Sequence, residues 1–582
     1  MKKNIFISCA LALGMLPVIS SCASDYLDEE PLTGISDYTV NESTVGAEAA
    51  VTGLAKQMSR QFAGLKSGNL NASGEIFFRT VYGEGLSPDA NFGEITNYYS
   101  SSTNPDNFRS MDDWWATWMY RYAYSIINEA NNILSSVALD KPDSELSQNQ
   151  CWLKACSLTF RAHAYYRLMQ VYGPRWADSD NGNAYCLVLR LKSAEENNHP
   201  LNTCNEVYDQ MYSDLKEAIE LFKNVPEEKA SRGTSLFYPD GSVAKGILAR
   251  MALLKNDYQT AQQMAHEARQ GYPLMNADEI LGGFLNTCKG WMWAPAMDPL
   301  GIYYWGFGPH YACNGHYVNS WGYTASMDWN LYRQMKVTDV RAKLFFGPMT
   351  VDIAPELAQE LGVTKEDFYT VKTSTPRASL SITGTGETPA TEMNLAMLKF
   401  IRQYGNQVKS LYRKNAIDPK GIYPQNKYGM SIGIHYKFQG SDDGYTSCFP
   451  PFMRAEEMLL TEAEAAYMNN DMTTAGNCIK ELMAVRDDSY ELTATGSDLL
   501  AEIKLQRKLE LWGEGFSWYD YKRWNEVIDR KGWDPNNPDN SGFWPSKYVR
   551  TFDPSFMSGW RAAIPESEFR YNNEADQSLL GL

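Results

Sequence analysis

The sequence predicts a mainly α fold: a scaffold of packed helical hairpins, interrupted by long irregular loops and carrying a few short strands. Two observations point there. Apolar and small residues recur at the i, i+3, i+4, i+7 spacing of a helix face through most segments that show any period. Between those segments, Gly, Pro, aromatic and β-branched residues collect around turn signals instead. With 582 residues, 44% of them hydrophobic, the chain is long enough for a large core.

In chain order the helical periods fall at 112–137, 151–171, 204–222, 242–254, 258–270, 454–468, 472–485 and 498–511. Two hairpins are explicit. Ala244, Ile247, Leu248, Met251 and Leu254 form one stripe, Asn256-Asp257 supplies the turn, and Ala261, Met264, Ala265 and Ala268 form the returning stripe. Ala455, Met458, Leu459, Ala463 and Ala466 repeat the device before Asn469-Asn470-Asp471, and Ala475, Cys478, Ile479 and Leu482 return. Small residues on facing stripes let helix axes approach closely, so these pairs pack side by side. They resemble degenerate tetratricopeptide-type units, although no strict 34-residue period runs through the chain.

The irregular stretches are about 69–110, 271–450 and 531–551. Ala294-Pro295, Gly308-Pro309, Thr383-Gly384-Thr385 and Asp442-Asp443-Gly444 are turn signals within the second of these. Loops of this kind, mounted on a rigid frame, are where function concentrates.

Charge and hydropathy narrow the function. The net charge is −17, which argues against binding nucleic-acid phosphates and weakens the case for a polyanionic substrate, unless a local basic patch survives the global balance. Mean hydropathy is −0.43, and the one long apolar run is N-terminal, which excludes a polytopic membrane protein. Met1-Lys2-Lys3 is a positive n-region and 5–19 an apolar h-region too short to span a bilayer. Ile19-Ser20-Ser21-Cys22 then matches a bacterial lipoprotein signal. The expected organisation is a signal peptide over 1–21, a lipidated acidic tether over 22–45 that begins at Cys22, and a single domain over 46–582. Two acyl chains on Cys22 would anchor the protein without a spanning helix. The eight cysteines beyond Cys9 and Cys22 are scattered with no CxxC pair, so zinc ribbons and thioredoxin-type motifs are absent. Cys151 and Cys156 read as small apolar packing residues.

Several short motifs occur in order along this layout. Gln506-Arg507-Lys508-Leu509-Glu510-Leu511-Trp512-Gly513-Glu514-Gly515, followed by Asp520, Arg523 and Trp524, resembles the C-terminal signature of the SusD/RagB family. Arg454-Ala455-Glu456-Glu457-Met458-Leu459-Leu460 with Ala463-Glu464-Ala465 is similar to that family's second helical motif, and Ile564-Pro565-Glu566-Ser567-Glu568 with Asn572 to its near-terminal one. Trp115, Asn128, Ala130, Asn131 and Ile133, then Phe160-Arg161-Ala162 through Tyr172-Gly173, and the region of Cys22, Leu27-Asp28 and Pro31 fit as well. One departure is Ser517, where an Arg is common, so a local ion pair is expected to be missing. The resemblance implies a cell-surface, lipid-anchored nutrient-binding protein of the outer membrane that works with a SusC-like TonB-dependent transporter. Physically, Glu510, Glu514, Asp520 and Arg523 read as a salt-bridge and capping set, since buried charges survive only when paired.

No catalytic motif stands out. The chain has no Gly-x-Ser-x-Gly elbow, no His-Glu-x-x-His, no Walker loop and no Rossmann fingerprint. His310 and His316 read as loop residues rather than metal ligands, and Asp442-Asp443-Gly444 as an exposed turn rather than a structural calcium site. The expectation is therefore a non-enzyme with no cofactor and no metal. Neutral sugars present flat C–H faces and hydroxyl rims, which aromatic rings and Asn, Asp, Arg or Gln side chains match. The richest aromatic cluster contains Trp291, Trp293, Tyr304, Trp305 and Trp321, together with Tyr303, Phe307, Tyr311, Tyr317 and Tyr323. A second contains Asn97, Tyr98, Tyr99 and Arg109, with Phe92, Asn107 and Phe108. The resemblance places the glycan site in about these two regions, and core packing is the competing reading for each ring. Trp114, Trp115 and Trp118 are assigned to the core. The rival functions are peptide binding within the same family, a secreted glycan-degrading enzyme, and a helical scaffold with no small ligand.

Overall fold

The computed structural model describes residues 44–59, 61–62, 72–77, 79, 83–92, 103–112, 114–137, 142–192, 198–225, 235–295, 307–313, 315, 325–336, 338–345, 433, 435–441, 448, 450–532, 537, 540–542, 544, 548–553 and 560–581. Its main helices are α1 (Thr44–Ser59), α2 (Trp114–Ser136), α3 (Gln148–Tyr172), α4 (Cys204–Leu221), α5 (Gly241–Leu254), α6 (Tyr258–Ala268), α7 (Ala455–Met468), α8 (Met472–Met483), α9 (Ser497–Glu510), α10 (Ser517–Trp524) and α11 (Glu566–Tyr571). The described strands are two or three residues long: β1 (Gln61–Phe62), β2 (Ala72–Ser73), β3 (Ala90–Phe92), β4 (Tyr185–Leu187), β5 (Asn202–Thr203), β6 (Trp291–Trp293), β7 (Ala325–Met327), β8 (Met453–Arg454), β9 (Ile528–Arg530) and β10 (Arg550–Phe552). They pair only two by two and antiparallel, as β1–β2, β3–β7, β4–β5, β6–β8 and β9–β10. The mainly α reading holds, and each of the eight sequence-predicted helices is present to within three residues at either end.

Both hairpins are built by the same local chemistry. Asn256 and Asn470 take left-handed φ of 60° and 64°, a conformation Asn tolerates better than other side chains. The following Asp257 and Asp471 cap the returning helices, accepting from the backbone N–H of Thr260 and Thr474. Their own N–H groups bond back to Ala252 and Ala466 at 2.8 Å each. The stripes read from sequence are buried, Met264 half-buried, and α6 packs on α7 to join the two hairpins. Gln262 reaches across, donating to Asp471 and accepting from Asn469. Capping boxes at Ser147 and Thr203 start α3 and α4. Cys151 and Cys156 are buried in α3, as packing residues.

The turn at 510–515 is where the loops meet this frame. Glu510 accepts from Arg454 and Arg486 at 2.8–2.9 Å and from Arg341 at 3.2 Å. Glu514 accepts from Lys437 at 2.6 Å and from Arg454 at 2.7 and 2.9 Å. Burial alone would raise both carboxyls, but the facing cations win and hold Glu510 well below the usual range and Glu514 at about 2. Arg523 bridges Glu464 and Asp520 beside them. The expected salt-bridge set is therefore present and larger than the sequence indicated. Both Glu510 and Glu514 are buried as well as paired.

Arg79 and the segment 83–92 lie against the same turn. Arg79 donates to the carbonyl of Glu514 at 2.9 Å, Gly515 N–H to Glu84 at 2.8 Å, and Trp512 Nε1–H to the carbonyl of Asp89 at 3.1 Å. A Cβ on Gly515, whose φ is +88°, would fall 2.3 Å from Arg79 Cα, so only glycine allows this approach. At Ser517 there is no ion pair: its hydroxyl donates to Asp89 at 2.6 Å, and Tyr521 donates to the other carboxylate oxygen at 3.1 Å.

Two predictions follow from this packing. Arg454→Met leaves Glu510 and Glu514 buried with one cation fewer, and should cost about 3–5 kcal/mol of stability in a denaturant melt; a loss below about 1 kcal/mol would contradict the central place given to Arg454. Glu84 is fully buried and pushed up to about 8, burial being the largest cause. The unfolded chain releases this proton near the ordinary carboxylate range, so between there and about 8 the native state holds the extra proton. Stability accordingly falls as pH rises through that window. Glu84→Gln keeps an acceptor for Gly515 and removes the titration, so it should melt above the parent at pH 9, with the gap closing by pH 5.

Candidate functional site

The strand pair β3–β7 joins the two loop regions in which aromatic residues cluster. Ala90 pairs with Met327, Asn91 with Ser326 and Phe92 with Ala325. Ser326 donates to the Asn91 side chain at 2.7 Å across the pair. At one end the ladder is extended by Asp328 N–H donating to the Asp89 carbonyl at 2.8 Å, and Asp89 is tied to Trp512 and Ser517 as described. The ribbon is thus fixed to the 510–515 turn. Met327 N–H also donates to the carbonyl of Gly433 at 2.8 Å, which brings the far end of the 271–450 region to the same ribbon. Gly433 has φ +86°, and a Cβ there would sit 2.1 Å from the Met327 carbonyl oxygen.

At the other end, Phe92 and Ala325 face each other. The chain leaves β3 toward Asn97, Tyr98 and Tyr99 from Phe92, and arrives from Trp321 at Ala325. Both stretches therefore start from one end of one ribbon. Asn97, Tyr98, Tyr99, Tyr304, Trp305 and Trp321 themselves lie outside the described residues, as do Cys22, His316 and Asp442-Asp443-Gly444.

Two of the expected platforms are corrected. Trp291 and Trp293 are 1% and 0% exposed, because β6 pairs with β8 at the entrance to α7. The Trp293 ring packs edge-on against Phe160, His163 and Phe452, and its Nε1–H donates to the Phe237 carbonyl at 3.2 Å. Trp291 stacks on Phe284. Both are core residues. Phe307, Tyr311 and Phe108, from the same two clusters, are buried too. Tyr311 packs with His435, Phe438 and Trp512. Arg109 is exposed at the end of a 3-10 turn, with Asp106 at 3.9 Å. Trp118 is buried, as assigned.

The three-residue pair β3–β7 was not anticipated from sequence. Three residues are too few for an alternating pattern to register, and the only local sign is polar Asn91 and Ser326 flanked by apolar neighbours. Among the described residues, no group of three His, Cys, Asp or Glu is placed to hold a metal ion, and no helix is long and apolar enough to cross a membrane.

Two family models match the chain: the SusD family over residues 352–577, and a SusD-like family described as starch-binding associating with outer membrane over 25–253. No curated protein sequence matches it. Solved structures with the same fold include a SusD-like carbohydrate binding protein from Bacteroides vulgatus, with 19% identity, TM-score 0.65, and coverage of 92% of this chain and 97% of that one. A SusD superfamily protein from Bacteroides thetaiotaomicron shows 16% identity and TM-score 0.61 over 91% and 98%. One from Bacteroides fragilis shows 18% and 0.61 over 92% and 100%. One model matches the N-terminal helices and the other the segment that holds the 510–515 turn, so the chain is similar to SusD-type families over 25–253 and 352–577, and it shares the fold of these solved structures almost end to end.

Proposed function

We propose that this protein captures an oligosaccharide at the cell surface and passes it to a partner TonB-dependent outer-membrane transporter. In this reading Cys22 carries the lipid that holds it to the outer membrane, the acidic segment 22–45 is its tether, and residues 46–582 form the one binding domain. The observation that carries the reading is the common origin of the two aromatic-rich loops at the Phe92–Ala325 end of β3–β7. Two aromatic-rich loops that leave one end of one fixed ribbon give rings from both a common point of attachment from which to meet one ligand. Indole and phenol faces stack on sugar C–H faces while Asn97 and Arg109 satisfy hydroxyls. The family description and the carbohydrate-binding relative support the ligand class. Capture and release need no catalysis and no cofactor. Several weak binders on one surface raise the effective concentration of the glycan.

Calorimetry of the whole chain against a panel of neutral oligosaccharides tests the reading. Trp321→Ala and Tyr98→Ala should each weaken the best ligand about tenfold, roughly 1.4 kcal/mol, without moving the melting temperature. Trp293→Ala should behave oppositely, with a stability loss of about 3–5 kcal/mol as for other buried aromatics. Binding of peptides but no glycan, or release of reducing ends on incubation, would overturn the proposal.

A further inference from the structure

A cleft of about 470 Å³ opens between α2, the segment 190–192 and α11, and none of its lining residues belongs to the β3–β7 ribbon. Its floor is internally wired. Glu568 accepts from Arg190 at 2.9 Å, Tyr120 at 3.0 Å and Asn572 at 2.8 Å. Asn131 accepts from Arg161 at 2.9 Å and donates to the Arg190 carbonyl at 3.0 Å. The Arg190 guanidinium lies over the Tyr124 ring, 5.2 Å from its centroid. These groups are committed to each other and hold the cleft's shape.

The rim differs. Arg121, Asn128, Lys192 and Tyr571 are exposed. Among the described residues, Arg121 and Lys192 make no ion pair and the Asn128 carboxamide no hydrogen bond. Tyr571, 67% exposed, is the most exposed of the large hydrophobic side chains described. Among the described residues that line the cleft, Arg121, Arg190 and Lys192 stand with one carboxylate, Glu568, which Arg190 already pairs. The local sign is thus positive on a chain of net charge −17. Glu195 and Glu196 follow Lys192 in sequence and lie outside the described residues.

We infer that this cleft is a second saccharide site, selective for sugars that carry a carboxylate, such as uronic acids. The volume suits one to three sugar units. An exposed phenol face is the element a pyranose ring stacks on, a free carboxamide pairs with hydroxyls in both senses, and two unpaired cations recognise the carboxylate. The site does not depend on the loop platform. Its affinity is modest and falls with salt, because exposed charges are screened.

Calorimetry of the whole chain with trigalacturonate, its methyl ester and triglutamate tests the inference. Trigalacturonate should bind, with the methyl ester and triglutamate at least tenfold weaker. The Arg121→Gln/Lys192→Gln pair should lose at least tenfold and Tyr571→Ala severalfold, all with unchanged melts, while Trp321→Ala retains trigalacturonate binding. No binding of trigalacturonate, equal binding of its methyl ester, or no effect of the double substitution would overturn the proposal. Equal binding of triglutamate would remove the saccharide assignment. Loss of trigalacturonate binding in Trp321→Ala alone would move the ligand to the loops and overturn it as well.

Discussion

The fold hangs on two carboxylates, Glu510 and Glu514, buried at the end of α9 and paired with cations drawn from four other places in the chain. Arg454 opens α7, Arg486 follows α8, and Arg341 and Lys437 belong to the long 271–450 region. Taking so many charges out of water is expensive, and a hydrophobic cluster of equal volume would often be as stable. What the ionic version adds is direction. Each bidentate or bridging contact fixes an angle as well as a distance, so segments with little regular structure of their own are held in a defined place against the hairpins.

That constraint explains how short strands can matter. An isolated pair of three-residue strands has almost no independent stability. Here β3 and β7 persist because Asp89, at the start of the pair, is bound by Trp512, Ser517 and Tyr521 next to the ionic turn, and because Met327 is also tied to Gly433. Burial raises the carboxyls of both Glu84 and Asp89, so the segment that carries the ribbon sits on protonatable groups while the turn beneath it stays ionised. Where an Arg at 517 would be expected from the family pattern, Ser517 meets Asp89 with a hydroxyl. A neutral donor suits a carboxyl that burial already pushes toward its protonated form.

The parts of this design that were legible in the sequence are those set by local rules. The hairpins could be read because the small-residue stripes and the Asn-Asp turns act within a few residues, and Asn256-Asp257 and Asn470-Asp471 do the same job in the structure. The charge cluster was half legible: Glu510, Glu514, Asp520 and Arg523 share one segment, whereas Arg341, Lys437 and Arg486 reach it only through tertiary packing. Trp291 and Trp293 were misread for a related reason. Gly and Pro around them signal irregular backbone, but whether irregular backbone lies inside or outside depends on a partner strand, and β8 is some 160 residues away by sequence number. Aromatic richness alone does not separate a platform from a core.

The cleft beside α11 qualifies what composition says about ligands. A net charge of −17 weakens the case for anionic partners only if charge acts over the whole molecule. At physiological salt the screening length is about 8 Å, shorter than the separation of most surface charges on a chain this size. A ligand within the cleft therefore responds to Arg121, Arg190, Lys192 and Glu568 far more than to the global sum. The acidic surface elsewhere slows the approach of anions without deciding where they rest, and it leaves neutral sugars at the loop platform unaffected. A salt-sensitive site and a salt-insensitive one can then sit on one scaffold, because the ionic turn fixes the frame and leaves the rims free to carry local charge.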